Sequence, residues 1–210
     1  MEKYSQKGFT LIELMVALAV AAILLGIGVP SFTEALRNSR LSSQYNELVQ
    51  SLYLARSEAI KGSADVVVCA RADDDSCDEN GDWSNGWLVY ADIAPLDVVG
   101  SAQIDAGDIV LRVSPPLSGE NTIIAQGSSD RTLGGMPASS AYIRYTSSGE
   151  SNWANGTFQL CDGIDGAERA SAVNVVWTGD IRRGRPTADS GDTPLHVFGA
   201  VIDCSPISSS

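Results

Sequence analysis

Residues 9–29, FTLIELMVALAVAAILLGIGV, form an apolar run broken by one charge, Glu13. As a helix the run spans roughly 30 Å, the thickness of one bilayer core. Lys3 and Lys7 stand before it, the cationic flank that stays on the cytoplasmic side. The rest of the chain then belongs on the far side. In bacteria that side is oxidising, which suits Cys69, Cys77, Cys161 and Cys204, none of them in a CxxC pair. A cleaved secretory signal would have a shorter apolar stretch ending at a small-residue site. Its A-x-A spacings, Ala17–Ala19 and Ala19–Ala21, lie inside the run, and no A-x-A site closes its end before Pro30.

Composition narrows what the remainder can do. The chain has 210 residues, enough for one domain and an appendage, and 44% of them are apolar. Charged residues make up 19%, so this is not a charged disordered chain. The net charge of −12 argues against a general binder of nucleic acid or anionic membrane. The lone histidine, His196, excludes histidine-clustered metal sites and leaves only one possible base for a histidine triad. No G-x-S-x-G, P-loop or HExxH pattern is present. We therefore expect no enzyme, no cofactor and no metal site.

Glu13 is the anomaly within the apolar run. An ionised carboxylate costs about 2.5–3.5 kcal/mol at the centre of a membrane helix, so it marks a function or lies near an end and snorkels. Its context is Lys7-Gly8-Phe9-Thr10-Leu11-Ile12-Glu13. The stretch KGFTLIELMVALAVAAILLGIGVPSF closely resembles the N-terminus of type IV prepilins and type II secretion pseudopilins. The resemblance implies a leader, residues 1–8, cut after Gly8 by a prepilin peptidase, and N-methylation of the new terminus, Phe9. It also implies that Glu13 pairs with the Phe9 amine of a neighbouring subunit during assembly. A cationic partner makes a carboxylate tolerable in lipid, and the membrane strengthens the attraction. Gly8 leaves the backbone open where a protease must approach it.

Beyond the apolar run, Phe32, Leu36, Leu41, Tyr45, Leu48, Leu52, Ala55 and Ala59 recur at helical spacing, and Gly62 follows as a C-cap. Residues 9–61 then make one helix of about 80 Å. It would be kinked at Pro30, with the membrane half at 9–29 and an amphipathic half at 30–62 that packs on a globular domain. From 63 to 210 the texture is β-like. Candidate strands are 65–70, 86–91, 109–113, 121–125, 141–146, 157–161, 173–177 and 195–201, separated by Gly, Asp, Asn and Ser. The expected class is α+β, a pilin-like long helix on mostly antiparallel sheet.

Four cysteines allow three connectivities. Cys69 and Cys77 flank the acidic loop ARADDDS, which a local bond would close. Cys161 ends a strand and Cys204 follows the last one, so a second bond could pin the C-terminus. The expected pairs are Cys69–Cys77 and Cys161–Cys204, each contributing about 2–4 kcal/mol.

A narrower resemblance covers the globular part. Cys69, Cys77, Trp83, Gly86, Trp87, Val89 and Asp92 look like the C…C…W…GW.V..D stretch of the GspH/FimT/FimU minor pilin group. Arg56, Glu58, Ala59 and Ile60 match its R.EAI signature. Gly149, Gly156, Thr157, Phe158, Leu160 and Cys161 are similar to its G…GTF.LC segment. On the residues alone, Trp83 and Trp87 read as core aromatics. Arg56 and Glu58 are too close in sequence to share a helix face, so they cap sheet edges or bridge separate neighbours rather than do chemistry.

Two charged clusters remain. Asp78-x-Asn80-x-Asp82 echoes the start of a calcium loop, but Trp83 stands where that loop needs Gly and Val89 where it needs Glu. A solvated acidic loop is the expectation. Arg182, Arg183 and Arg185 fall close together and could grip phosphates. One branch of the FimT group resembles a DNA-uptake receptor with a GRxR motif, but here Asp180 replaces its first Arg. The other reading is that these arginines pair with local carboxylates or solvate a turn.

The resemblance implies a minor type IV pilin of the FimT/FimU kind that takes part in pilus assembly, priming and tip structure. The alternatives are a GspH-like minor pseudopilin of a type II secretion system, or a DNA-uptake receptor at the pilus tip. The implied partners are other pilins or pseudopilins, the prepilin peptidase and the inner membrane, with DNA not favoured. The implied location is the bacterial inner membrane, with the C-terminal domain in the periplasm, and then the filament.

Overall fold

The computed structural model describes residues 9–62, 64–93, 102–126, 132–133, 136–137, 141–153, 155–184 and 204. One helix, α1, runs from Leu11 to Gly62, and Pro30 does not end it. Proline removes one backbone donor. Nearby, the Thr33 hydroxyl donates to the Val29 carbonyl at 2.9 Å. By contact density the chain divides into two units, Met1–Arg40 and Leu41–Ser210.

In the N-terminal unit the large apolar side chains from Phe9 to Leu36 are exposed. This corrects one expectation. The buried stripe was to begin at Phe32, yet Phe32 is 66% exposed and Leu36 50% exposed. Burial starts at Leu41, the first residue of the second unit, and continues through Leu48, Leu52, Ala55 and Ala59. Spacing identifies an apolar face but not how far along the helix an opposing surface extends.

In the second unit two four-stranded antiparallel sheets meet the helix. The first has the order β3-β2-β1-β7, from Ile109–Val113, Trp87–Asp92, Asp65–Ala70 and Tyr142–Tyr145. The second has the order β10-β9-β8-β4, from Ile181–Arg183, Gly166–Val176, Asn155–Asp162 and Thr122–Gln126. A short ribbon pairs β5 (Thr132–Leu133) with β6 (Met136–Pro137).

Among the described residues, alternation along the strands builds three buried clusters. The inner faces supply Val66, Val68, Trp87, Val89, Ile143 and Tyr145 from one sheet, and Ile123, Phe158, Leu160, Val173 and Val175 from the other. Both pack with Leu48, Leu52, Ala55 and Ala59 of α1. The outer face of the first sheet forms a second cluster around Val67, Cys69, Leu88, Tyr90 and Tyr142. The outer face of the other sheet holds Cys161, Ala170 and Ala172. Each outer cluster carries one disulfide: Cys69–Cys77, with Cα atoms 5.7 Å apart, and Cys161–Cys204, at 5.9 Å.

Trp83 and Trp87 are fully buried. Trp83 lies in a short 3-10 turn, Trp83–Asn85, capped by the Asp82 side chain. The strand expected at 173–177 is the end of a longer one, β9, which starts at Gly166. Small and polar residues, GAERASA, hide its first half from an apolar pattern. A side-chain turn opens it, with Asp162 Oδ1 accepting from the Ile164 and Asp165 amides at 2.9 Å each. β10 was not anticipated at all, and the expected strand 195–201 lies outside the described residues.

Candidate functional site: the N-terminal helix and the arginine hairpin

The helix starts two residues after the Gly8–Phe9 junction. Gly8 itself lies outside the described residues. The Glu13 amide donates to Thr10 Oγ1 at 3.2 Å, so Thr10 caps the helix N-terminus. Thr10-x-x-Glu13 is a capping-box spacing. That signal was legible in the sequence, where Glu13 reads first as an intramembrane charge. Glu13 also sits in the first turn, where the helix dipole favours a negative charge. Both Phe9 and Glu13 are exposed. The helix is long and apolar enough to cross a membrane, and its apolar window has no burial within the chain.

Arg182 and Arg183 lie on β10 of the β9–β10 hairpin and do not converge. Adjacent strand residues point to opposite faces. Arg182 reaches back to Asp180 at 3.4 Å. The Arg183 guanidinium instead sits 5.0 Å from the Tyr45 ring centre on α1, a cation–π contact. Burial holds the Tyr45 phenol above its ordinary pKa, against the opposing pull of Arg183. Arg185 lies outside the described residues.

Asp180 decides the chemistry of this hairpin. It accepts from Arg56 Nη1 at 3.2 Å while Arg56 Nη2 donates to the Thr178 carbonyl at 2.9 Å. Hydrogen bonds from Arg182 and Arg56 hold its carboxyl below the usual range. The residue that interrupts the GRxR pattern thus neutralises part of the cluster and ties the turn to the helix. Arg56 bridges to the hairpin, whereas Glu58 pairs with Lys61 of its own helix at 2.9 Å, so the two do serve separate neighbours.

Gly179 completes this junction. Its φ is +77°, and a Cβ there would run into the Gly149 carbonyl and lie 3.0 Å from Arg56 Nε. Gly179→Ala should therefore destabilise the protein by at least ~1 kcal/mol from the left-handed backbone alone. A lowered urea midpoint of the full-length protein, at unchanged slope, is the expected result.

In the acidic stretch, Asp78 and Asp82 use their oxygens within their own turn. Asp78 accepts from the Asn80 amide, the Asn80 side chain and the Asp82 amide, each at 3.0 Å. Burial pushes the Asp78 carboxyl up, but these bonds outweigh it and leave the group below its ordinary value. Asp82 accepts from the Ser84 amide and the Asn85 side chain, each at 3.0 Å. The turn from Asp78 to Asn85 is thus held by its own carboxylates, and the Cys69–Cys77 bond closes the segment just before it.

Comparison with known proteins agrees with this architecture. The family model described as Type II transport protein GspH matches residues 44–179. That described as the prokaryotic N-terminal methylation motif matches residues 3–29. The Fimbrial protein EcpC of Eikenella corrodens is 44% identical over 46 residues, which is 22% of this chain and 30% of that protein. A Fimbrial protein of Pseudomonas aeruginosa is 30% identical over 104 residues, which is 50% of this chain and 61% of that protein. The chain thus aligns with less than two thirds of either curated relative.

Among solved structures, the type IV minor pilin FimU of Pseudomonas aeruginosa superposes with a TM-score of 0.52 at 21% identity. It covers 79% of this chain and 98% of FimU. The minor pseudopilin EpsH of the Vibrio cholerae Type 2 Secretion System gives a TM-score of 0.44 at 15% identity, covering 69% of this chain and 95% of EpsH. Because the GspH model spans well over half the sequence and the methylation motif covers the apolar start, the chain belongs to the GspH family of type IV pilin-like proteins.

Proposed function

We propose that this protein is a minor pilin that is held in the bacterial inner membrane and then extracted into a type IV pilus, where it takes part in priming and tip structure. The observation that carries this reading is the N-terminal helix. Its apolar residues are exposed, it bears a single carboxylate in its first turn, and it continues into a separate folded unit. A surface of that kind is satisfied either by lipid or by the equivalent helices of other subunits. Glu13 then pairs with the Phe9 amine of a neighbour after a prepilin peptidase cuts behind Gly8 and Phe9 is methylated. The exposed Phe32 and Leu36 extend the packing surface past the membrane segment. The folded domain lies in the periplasm before extraction.

Glu13→Ala should cut the amount of this subunit in sheared filaments by about tenfold or more, equivalent to ~1.4 kcal/mol of lost pairing, and leave membrane insertion unchanged. Quantitative immunoblots of filament and membrane fractions measure both. Equal incorporation of variant and wild type would overturn the assembly role of Glu13. Co-purification from native membranes distinguishes the machines. Recovery with pilus tip subunits supports the minor pilin, and recovery with secretion pseudopilins replaces it with a GspH-like component. The DNA-receptor reading draws no support from Arg182 and Arg183, which point to Asp180 and Tyr45 rather than to a common phosphate.

A further inference from the structure

The two sheets have four edges, and among the described residues three are covered. β7 is met by the segment after it, where the Asn152 amide donates to the Arg144 carbonyl at 3.0 Å and Asn152 Oδ1 accepts from the Arg144 amide at 2.8 Å. β10 lies against α1 through the Tyr53 hydroxyl, 3.4 Å from the Ile181 carbonyl. β4 meets the Trp83–Asn85 turn, with the Ile123 amide donating to Ser84 Oγ at 3.3 Å.

The fourth edge, β3, is different. Ile109, Val110, Leu111 and Val113 are 52%, 38%, 36% and 42% exposed. No Lys or Pro blunts the strand, and its one charge, Arg112, turns inward to Ser51 Oγ at 3.2 Å. A bulge opposite Val89/Tyr90 shifts its register against β2. The Ser114 amide donates to the Trp87 carbonyl at 2.8 Å, so by ladder alternation the Val113 N–H faces away from β2.

The charges at the start of this edge are unbalanced. Asp105 and Asp108 precede the strand, and the Asp108 oxygens accept from the Ile93 amide at 3.0 Å and the Asp105 amide at 2.9 Å. Asp65 and Asp92 stand close by and share one guanidinium, Arg144, at 3.1 and 2.7 Å. Burial raises the Asp92 carboxyl, and Asp108 and Asp65 repel it further against the pull of Arg144. An apolar edge beginning in surplus negative charge complements a strand that is apolar along its length and cationic at one end.

We propose that β3 is a docking edge for an extended strand of another protein subunit, apolar over the length of β3 and carrying Lys or Arg beside Asp105 and Asp108. Backbone pairing supplies the affinity and the terminal cation sets the direction. A second copy of this chain fits poorly. Antiparallel self-pairing puts Asp108 beside the uncharged Val113 end, parallel self-pairing puts Asp108 beside Asp108, and each chain carries −12. The proposal does not depend on how the N-terminal helix is used.

The test uses the full-length protein in detergent micelles and an eight-residue probe peptide of alternating threonine and valine with a lysine at one end. A glutamate-ended version is the control. The lysine-ended peptide should slow amide exchange across residues 109–113 and lose affinity as salt rises, since Asp105 is exposed. Val113→Lys should weaken its binding about tenfold or more, whereas Val113→Thr should retain it. Both variants are to be compared at matched thermal stability, so that misfolding is not read as lost docking. The proposal fails if the peptide protects nothing, if the glutamate-ended peptide protects equally, or if Val113→Lys binds like wild type while folded. Protection that needs no peptide and grows with protein concentration would identify a second copy and overturn the assigned partner.

Discussion

Arg144→Ala should destabilise the folded unit by about 3–5 kcal/mol, because it strands a buried carboxylate. Arg144 is the cation for Asp92 at 2.7 Å and Asp65 at 3.1 Å, and the Asp92 side chain is only 1% exposed. Burial already holds the Asp92 carboxyl above its ordinary value despite Arg144. Without the guanidinium that pKa rises further. A carboxyl whose folded pKa lies above its unfolded one binds more protons when folded. The native state then gains stability as pH falls through the folded pKa and loses it as pH rises. The variant's deficit should therefore be greatest at neutral pH and shrink on acidification toward the ordinary carboxylate range. Denaturant midpoints of the full-length protein across mildly acid to neutral pH measure this. Adding Asp92→Ala to Arg144→Ala should recover part of the loss, because the stranded charge is then gone. A deficit independent of pH, or a double variant no better than the single, would show that the guanidinium acts through packing instead.

Phe158→Ala should cost a similar amount, about 3–5 kcal/mol, by opening a cavity. Phe158 on β8 touches Trp83 edge-on at 4.7 Å between ring centres and stacks on Trp153 at 4.8 Å. All three rings are fully buried. One comes from the second sheet, one from the 3-10 turn before β2, and one from the segment after β7, so the ring joins parts of the chain far apart in sequence. Little can collapse into the space, since Trp153 Nε1 is held by the Tyr142 carbonyl at 3.0 Å. A lowered denaturant midpoint and a red-shifted tryptophan emission are the expected readings. Phe158→Leu, which keeps most of the volume, should lose distinctly less.

Some features of this chain follow from local pattern. Apolar residues from Phe9 to Val29 with one carboxylate dictate a helix long and apolar enough to cross a bilayer, because a helix satisfies its own backbone within the segment. Six of the candidate strands lie close to β1, β2, β3, β4, β7 and β8, where β-branched and aromatic runs sit between turn residues. Thr10 as a helix cap was equally local, being encoded in the T-x-x-E spacing. The first half of β9 was not legible, because GAERASA carries little apolar signal and becomes strand through its ladder with β8.

Other features exist only once distant segments meet. Asp180 reads as a departure from an arginine motif, and its role as the acceptor for Arg56, distant in sequence, appears only in the fold. Arg182 and Arg183 look like one cluster in the sequence, but strand pleating sends them to different partners. The sequence by itself determined the long apolar helix, its carboxylate and the β-rich class, because those depend on periodicity and on transfer from water. Tertiary structure alone decided that burial begins at Leu41, that Arg144 neutralises Asp92, and that β3 is the edge left open among the described residues. Each of those depends on which surface faces which, and no local spacing encodes that.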